Sequence, residues 1–288
     1  YLGTCVFGVG IALGNVLLPA ITKRDFPQSA GPMTSLYSSV MGIGATLGAG
    51  LAAPLALRLG WRGSLAVWAL PVLLALVVWM PQLLGRHRAP LQRRYREAFS
   101  SLSRSTLAWQ VALFMGFQSL TFYVIIAWLP DLLEARGMTS TAAGGMLALS
   151  QATGVLGTAL VPVWAGRLGS QVGIVWALGA IEAIALAGLV LPGVAFVGVS
   201  VAVLGFVLGG TFGLALLFLV LRAGSAERAG ELSGMAQSVG YLMAAAGPAA
   251  FGALHDVTSG WRIPLASLGV VLAGKVWAGV QAGRAGHV

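Results

Sequence analysis

Gly10-Ile11-Ala12-Leu13-Gly14-Asn15-Val16-Leu17-Leu18-Pro19-Ala20-Ile21-Thr22-Lys23 returns 199 positions later as Gly209-Gly210-Thr211-Phe212-Gly213-Leu214-Ala215-Leu216-Leu217-Phe218-Leu219-Val220-Leu221-Arg222. Both glycines, the Leu-Leu pair and the closing basic residue keep register. Gly31, Ser39-Val40 and Gly48 then match Gly230, Ser238-Val239 and Gly247. After a slip of one residue, Gly60-Trp61-Arg62 matches Gly260-Trp261-Arg262. The matched residues are mostly small, apolar and spaced for helices. A long internal repeat of hydrophobic helices implies a secondary transporter with its substrate site between the two halves. Chance similarity between Gly/Ala-rich membrane helices is the competing reading. The Gly-Trp-Arg triplet and the registered basic residue argue against it.

Composition places the chain in a bilayer. Of 288 residues, 58% are hydrophobic and only 9% charged, against about 25% charged in a soluble domain. Mean hydropathy is +0.88. The formal charge of +9 reads as Lys and Arg enrichment in cytoplasmic loops rather than nucleic-acid binding. The single cysteine, Cys5, excludes an internal disulfide and a cysteine metal cluster. His87, His255 and His287 fall between apolar runs, without metal-ligand spacing, so no metal or other cofactor is expected.

Nine apolar spans are expected as helices, because backbone groups in lipid must be satisfied internally. They run near 1–22, 32–57, 63–84, 107–130, 140–166, 172–192, 194–222, 230–254 and 262–282. Arg86, Arg88, Arg93, Arg94, Arg96 and Arg104 crowd the longest loop, 85–106. Lys23, Arg24, Arg167, Arg222, Arg228, Lys275 and Arg284 fall on the same side, with Lys275 expected to snorkel to it. Arg58, Arg62, Arg136 and Arg262 fall on the other. The positive-inside rule makes the first side, and the C-terminus, cytoplasmic in the cell (inner) membrane. Loop 85–106 reads as a topogenic linker; a lipid or nucleic-acid patch is the alternative. Gly10-x-x-x-Gly14, Gly44-x-x-x-Gly48 and Gly205-x-x-x-Gly209-x-x-x-Gly213 are expected to let helices approach closely.

The sequence opens inside an apolar run with no preceding charged region, which is not a signal-peptide pattern. The repeat offset leaves span 107–130 without a partner. A preceding segment of about 90–100 residues, enough for three helices, is expected, giving about twelve spans with nine present here. The expected organisation is 1–84 as the remainder of an N-terminal half (helices 4–6), 85–106 as the basic linker, and 107–288 as a C-terminal half (helices 7–12).

Twelve helices in two halves with a basic central loop resemble the major facilitator superfamily. Gly166-Arg167-Leu168-Gly169-Ser170-Gln171 resembles the degenerate second-half copy of its loop motif Gly-x-x-x-Asp-Arg-x-Gly-Arg, with Gly166 in the aspartate's place. Gly10 through Pro27, Trp109 through Tyr123, and Ala127-Trp128-Leu129-Pro130 resemble the cyanate and 2-nitroimidazole transporter family more specifically. The resemblance implies an all-α integral membrane bundle and a secondary transporter of small polar or anionic solutes. It also implies that spans 1–22, 107–130 and 194–222 line a central cavity, flanked by 32–57, 140–166 and 230–254.

Mid-span polar residues are the site candidates, since polar groups in hydrocarbon require a partner or water. They are Asn15, Gln118, Ser119, Tyr123, Gln151, Thr211, Gln237 and Tyr241, with Tyr37 and Ser38 as weaker candidates. At about 100° per residue, Gln118, Ser119, Phe122 and Tyr123 share an arc of about 140°. Interhelical hydrogen bonding is the competing role for all of them. Glu182 is the acidic residue deep in a span, so a proton is the candidate coupling ion. The expected partners are a small-molecule solute and the bilayer, not nucleic acid, and the expected state is a monomer. An integral membrane enzyme would need a nucleophile–base pair, paired carboxylates or a metal set, and the sequence carries no such motif. A non-transporting receptor on the same fold remains the other alternative.

Overall fold

The computed structural model describes residues 2–84, 101–190, 196–284 and 286–288. Among these there is no strand. The helices are α1 (Leu2–Asp25), α2 (Ala30–Val67), α3 (Ala69–Leu84), α4 (Thr106–Glu134), α5 (Ser140–Ala165), α6 (Val172–Val190), α7 (Val197–Leu221), α8 (Ala226–Thr258) and α9 (Arg262–Ala282). In its described part each expected span lies on one of them, except 63–84, which α2 and α3 share across the turn at Trp68. The linker arginines 86–96 and His87 lie outside the described residues, as does the junction 191–195.

Local chemistry sets the helix starts. Ser105, Thr139 and Ser225 are N-caps whose hydroxyls accept from the backbone N–H of Ala108, Ala142 and Arg228 at 3.3, 3.3 and 3.2 Å. Each satisfies one of the donors a first turn leaves unpaired. Gly137, at φ 88°, makes the left-handed turn between α4 and α5.

Two spans differ from their expected bounds. The helix that begins at Ala30 runs past residue 57 and is interrupted at Gly60, whose φ of 71° and ψ of 167° are not helical. Helix resumes at once and turns again at Trp68. The interruption at Gly60 falls in the expected connection between spans 32–57 and 63–84, beside Arg58 and Arg62, whereas no polar residue marks the turn at Trp68. Span 230–254 extends to Thr258 and ends on Ser259 in the left-handed region, at φ 49°. His255 is therefore helical rather than in a loop. It stacks on Trp261 with ring centroids 4.0 Å apart.

The chain forms two compact units. One, residues 40–97, consists in its described part of the rest of α2 together with α3. There the Trp68 ring stands where a Cβ on Gly48 would make ordinary contact, at 4.0 Å.

The other unit joins residues 1–39 to 98–288. Its core is glycine-mediated. The row Gly205, Gly209, Gly213 on α7 faces α5, and a Cβ on Gly209 would overlap the Gly154 carbonyl. Gly157 on α5 is pressed against the Phe206 carbonyl in the same way. The backbones thus meet with nothing between them, and Thr158 Oγ1 donates to Gly209 O across the gap at 3.0 Å. This is the close approach expected of the spacing. A Cβ on Gly10, Gly14 or Gly44, by contrast, would meet nothing within 4 Å among the described residues. Helices α4 and α8 pack through Gly116 against Met243, and Trp128 Nε1 donates to Pro248 O at 2.9 Å. Leu242, Ile184, Val257 and Val270 project outward, each more than 70% exposed. Such an apolar periphery suits lipid, not water.

Candidate functional site

At 1.5 Å per residue, the eight candidate residues stand about 15–26 Å along their helices from the ends at Asp25, Thr106, Ala165, Leu221 and Ala226. Those distances fall within the span of a hydrocarbon core about 30 Å thick.

Three of the eight meet directly. Asn15 on α1 donates through Nδ2 to the Tyr241 hydroxyl on α8 at 2.9 Å. Gln237, one turn earlier on α8, donates through Nε2 to Asn15 O at 2.7 Å and to Ser233 Oγ at 2.8 Å. Those two acceptors fix the amide's orientation and leave Gln237 Oε1 buried without a partner among the described residues. Ser233 was not a sequence candidate; its signal is the i, i+4 spacing to Gln237 on one helix face. One side of the cluster is open, because Tyr241 and Tyr123 are 38% and 43% exposed. Phe122 packs edge-on against Tyr123, with centroids 5.5 Å apart.

The polar arc on α4 divides. Gln118 and Ser119 are buried. Gln118 Nε2 points to Leu208 O on α7 at 3.4 Å, and its Oε1 accepts from Ser119 Oγ at 3.1 Å. Thr211 is buried as well, its hydroxyl shared between Val207 O and Leu208 O at 2.9 and 3.1 Å. Gln151 is half-buried, without a side-chain partner among the described residues. Ser38 donates to its own helix at Thr34 O, 2.6 Å away. The Tyr37 hydroxyl is buried beside Thr34.

Lys275 does not snorkel. It is 1% exposed, and its Nζ lies 2.5 Å from Glu182 Oε1, joining α9 to α6 inside the bundle. A lysine about two turns from a helix end reaches the interface only when no carboxylate lies within reach. Glu182 is 93 positions away in sequence, so no local pattern announces the pair. Among the described residues the other buried cation is Arg222, at the C-terminal end of α7. It donates to Ala282 O at 2.6 Å, Gly283 O at 3.1 Å and Gln171 Oε1. Gln171 in turn donates to Ala165 O at 3.0 Å and Leu168 O at 2.8 Å. The motif-like segment 166–171 and the repeated basic position thus meet in one knot that satisfies the end carbonyls of α5 and α9.

A second junction joins the start of α2 to α5. A Cβ on Gly31 would come within 2.5 Å of Pro162 O, and one on Gly166 within 2.8 Å of Gly31 Cα. Ser35 Oγ donates to Ala159 O beside them. Gly166 therefore leaves room for a backbone where the loop motif has an aspartate.

The model of the Major Facilitator Superfamily matches residues 1–248. The chain is 42% identical over 284 residues to the 2-nitroimidazole transporter of Escherichia coli K12, covering 98% of this chain and 72% of that one. It is 41% identical over 287 residues to an uncharacterized transporter of Bacillus subtilis 168, covering 99% and 71%. The cyanate transport protein of Escherichia coli K12 is 26% identical over 264 residues, covering 88% and 66%. With these matches, the apolar periphery and the membrane-length helices, the chain is a multi-pass membrane protein of the major facilitator superfamily and belongs to its cyanate and 2-nitroimidazole transporter family.

Proposed function

We propose that this protein is a secondary active transporter that moves a small polar or anionic solute, cyanate-like or nitroimidazole-like, by alternating access. The observation that carries the reading is the Asn15–Gln237–Tyr241 cluster. It joins helices more than 200 positions apart at mid-membrane depth, where repeat-built transporters place their substrate. Amide and hydroxyl groups can donate to an anion and accept from an N–H without placing a fixed charge in the bilayer. The buried Lys275 is already engaged by Glu182, so recognition rests on dipoles rather than on that cation. Gln118, Ser119, Tyr123, Gln151 and Thr211 are proposed to complete the site.

In this reading 1–84 and 107–288 belong to opposite halves and 85–106 is a cytoplasmic linker. The C-terminus is cytoplasmic, the host is the cell (inner) membrane, the working unit is a monomer, and a proton is the candidate coupling ion. The test is counterflow into proteoliposomes with labelled cyanate and, separately, labelled 2-nitroimidazole. Saturable uptake of either, inhibited by the unlabelled compound, is the expected result. Uptake no faster than in empty liposomes for both probes contradicts the proposed solute class.

A further inference from the structure

Glu182 and Lys275 form a half-satisfied ion pair. Their one contact uses Oε1 and one ammonium hydrogen. Among the described residues Glu182 Oε2 is buried with no partner, and Nζ keeps two further hydrogens with no acceptor. Burying such a pair in a low-dielectric interior is costly unless further hydrogen bonds complete it. Beside it lies a void bounded by Glu182, Lys275, Thr211, Phe114, Val175 and Gly179. On α7 its polar group is Thr211, and the face from α4 is the Phe114 ring. The void offers about 10 Å³ to the centre of a water-sized sphere, and one water needs about 10–15 Å³ on that measure.

We propose that this void is a binding site for a single water that completes the pair. The polar groups around it supply the right complement. A water there accepts from Lys275 Nζ and donates to Glu182 Oε2 and to Thr211 Oγ1. The Thr211 hydrogen is already committed to the Val207 and Leu208 carbonyls, so its oxygen is left as an acceptor. Three hydrogen bonds are typical of a buried structural water. A larger polar ligand does not fit. The site ties α6, α7 and α9 together through three side chains. It also gives Thr211 a role besides solute contact.

Thr211 has no direct hydrogen bond to either charged residue, so the water is what couples it energetically to the pair. The test is a thermal-unfolding cycle on the purified protein in detergent, which needs no solute. Its failure therefore leaves the transport reading standing. Thr211→Val is measured in the native background and again in Glu182→Leu/Lys275→Met, where apolar groups replace both charges. The expected result is a fall of about 2–4 °C in the first background and no fall in the second. Equal shifts in both backgrounds overturn the proposal. Should the double variant not fold, an experimental density map at water-resolving resolution decides. A peak within hydrogen-bonding distance of Nζ, Oε2 and Oγ1 supports the site; an empty void, or one filled by a repacked side chain, overturns it.

Discussion

Gln118 shows what a single side chain can be asked to do in this bundle. It is 1% exposed, and its one bond to another helix is the 3.4 Å contact with Leu208 O. Replacing it with leucine is expected to leave expression and stability nearly unchanged, since membrane hydrogen bonds of this kind contribute about 0.6 kcal/mol on average. A solute contact is a different matter: losing one hydrogen bond to a charged ligand costs about 1.5–3 kcal/mol, roughly ten- to hundredfold in affinity. Gln118→Leu should therefore keep its expression and lose uptake by about that factor when both are measured on one preparation. Normal uptake would assign Gln118 to the packing of α4 against α7. The sequence marked Asn15, Gln237 and Tyr241 as polar groups in the middle of apolar spans, which follows from hydropathy alone. It did not pair them, because a contact 222 or 226 positions apart leaves no local pattern. Lys275 was misread for the same reason: a lysine near a helix end and a lysine facing a distant carboxylate look identical in one strand of sequence.

At the scale of the helix, glycine spacing is legible but its partner is not. Gly10-x-x-x-Gly14 and Gly205-x-x-x-Gly209 carry the same motif. Among the described residues the second faces another backbone, at Ser150 and Gly154, and the first meets nothing within 4 Å. Two alanine substitutions should therefore move in opposite directions. Gly10→Ala removes backbone entropy from a helix interior without a clash and should raise stability by up to about 1 kcal/mol. Gly209→Ala drives a methyl group into the Gly154 backbone and should lower stability by about 1–3 kcal/mol. Unfolding midpoints of the two variants beside the parent protein check both signs. Helix existence and the break at Gly60, between the apolar runs 32–57 and 63–84, were readable, whereas the second turn at Trp68 and the reach of α8 to Thr258 were not. Both depend on backbone dihedrals, which average hydropathy does not register.

At the scale of the molecule, the account turns on the contact between α1 and α8, which belong to opposite halves in the proposed organisation. Alternating access requires such a contact to open and close in each cycle. A Cβ on Gly230 would stand 3.6 Å from the Cβ of Ala20, toward the same helix ends as Lys23 and Arg222. That separation matches the usual Cβ···Cβ distance of a disulfide, about 3.5–4.5 Å. The decisive measurement is solute counterflow by the Ala20→Cys/Gly230→Cys protein, with Cys5 replaced by serine, before and after oxidation. The account predicts that cross-linking abolishes transport and that a reductant restores it. A fully cross-linked protein that transports at the reduced rate would show that α1 and α8 never part, and would contradict alternating access at this junction.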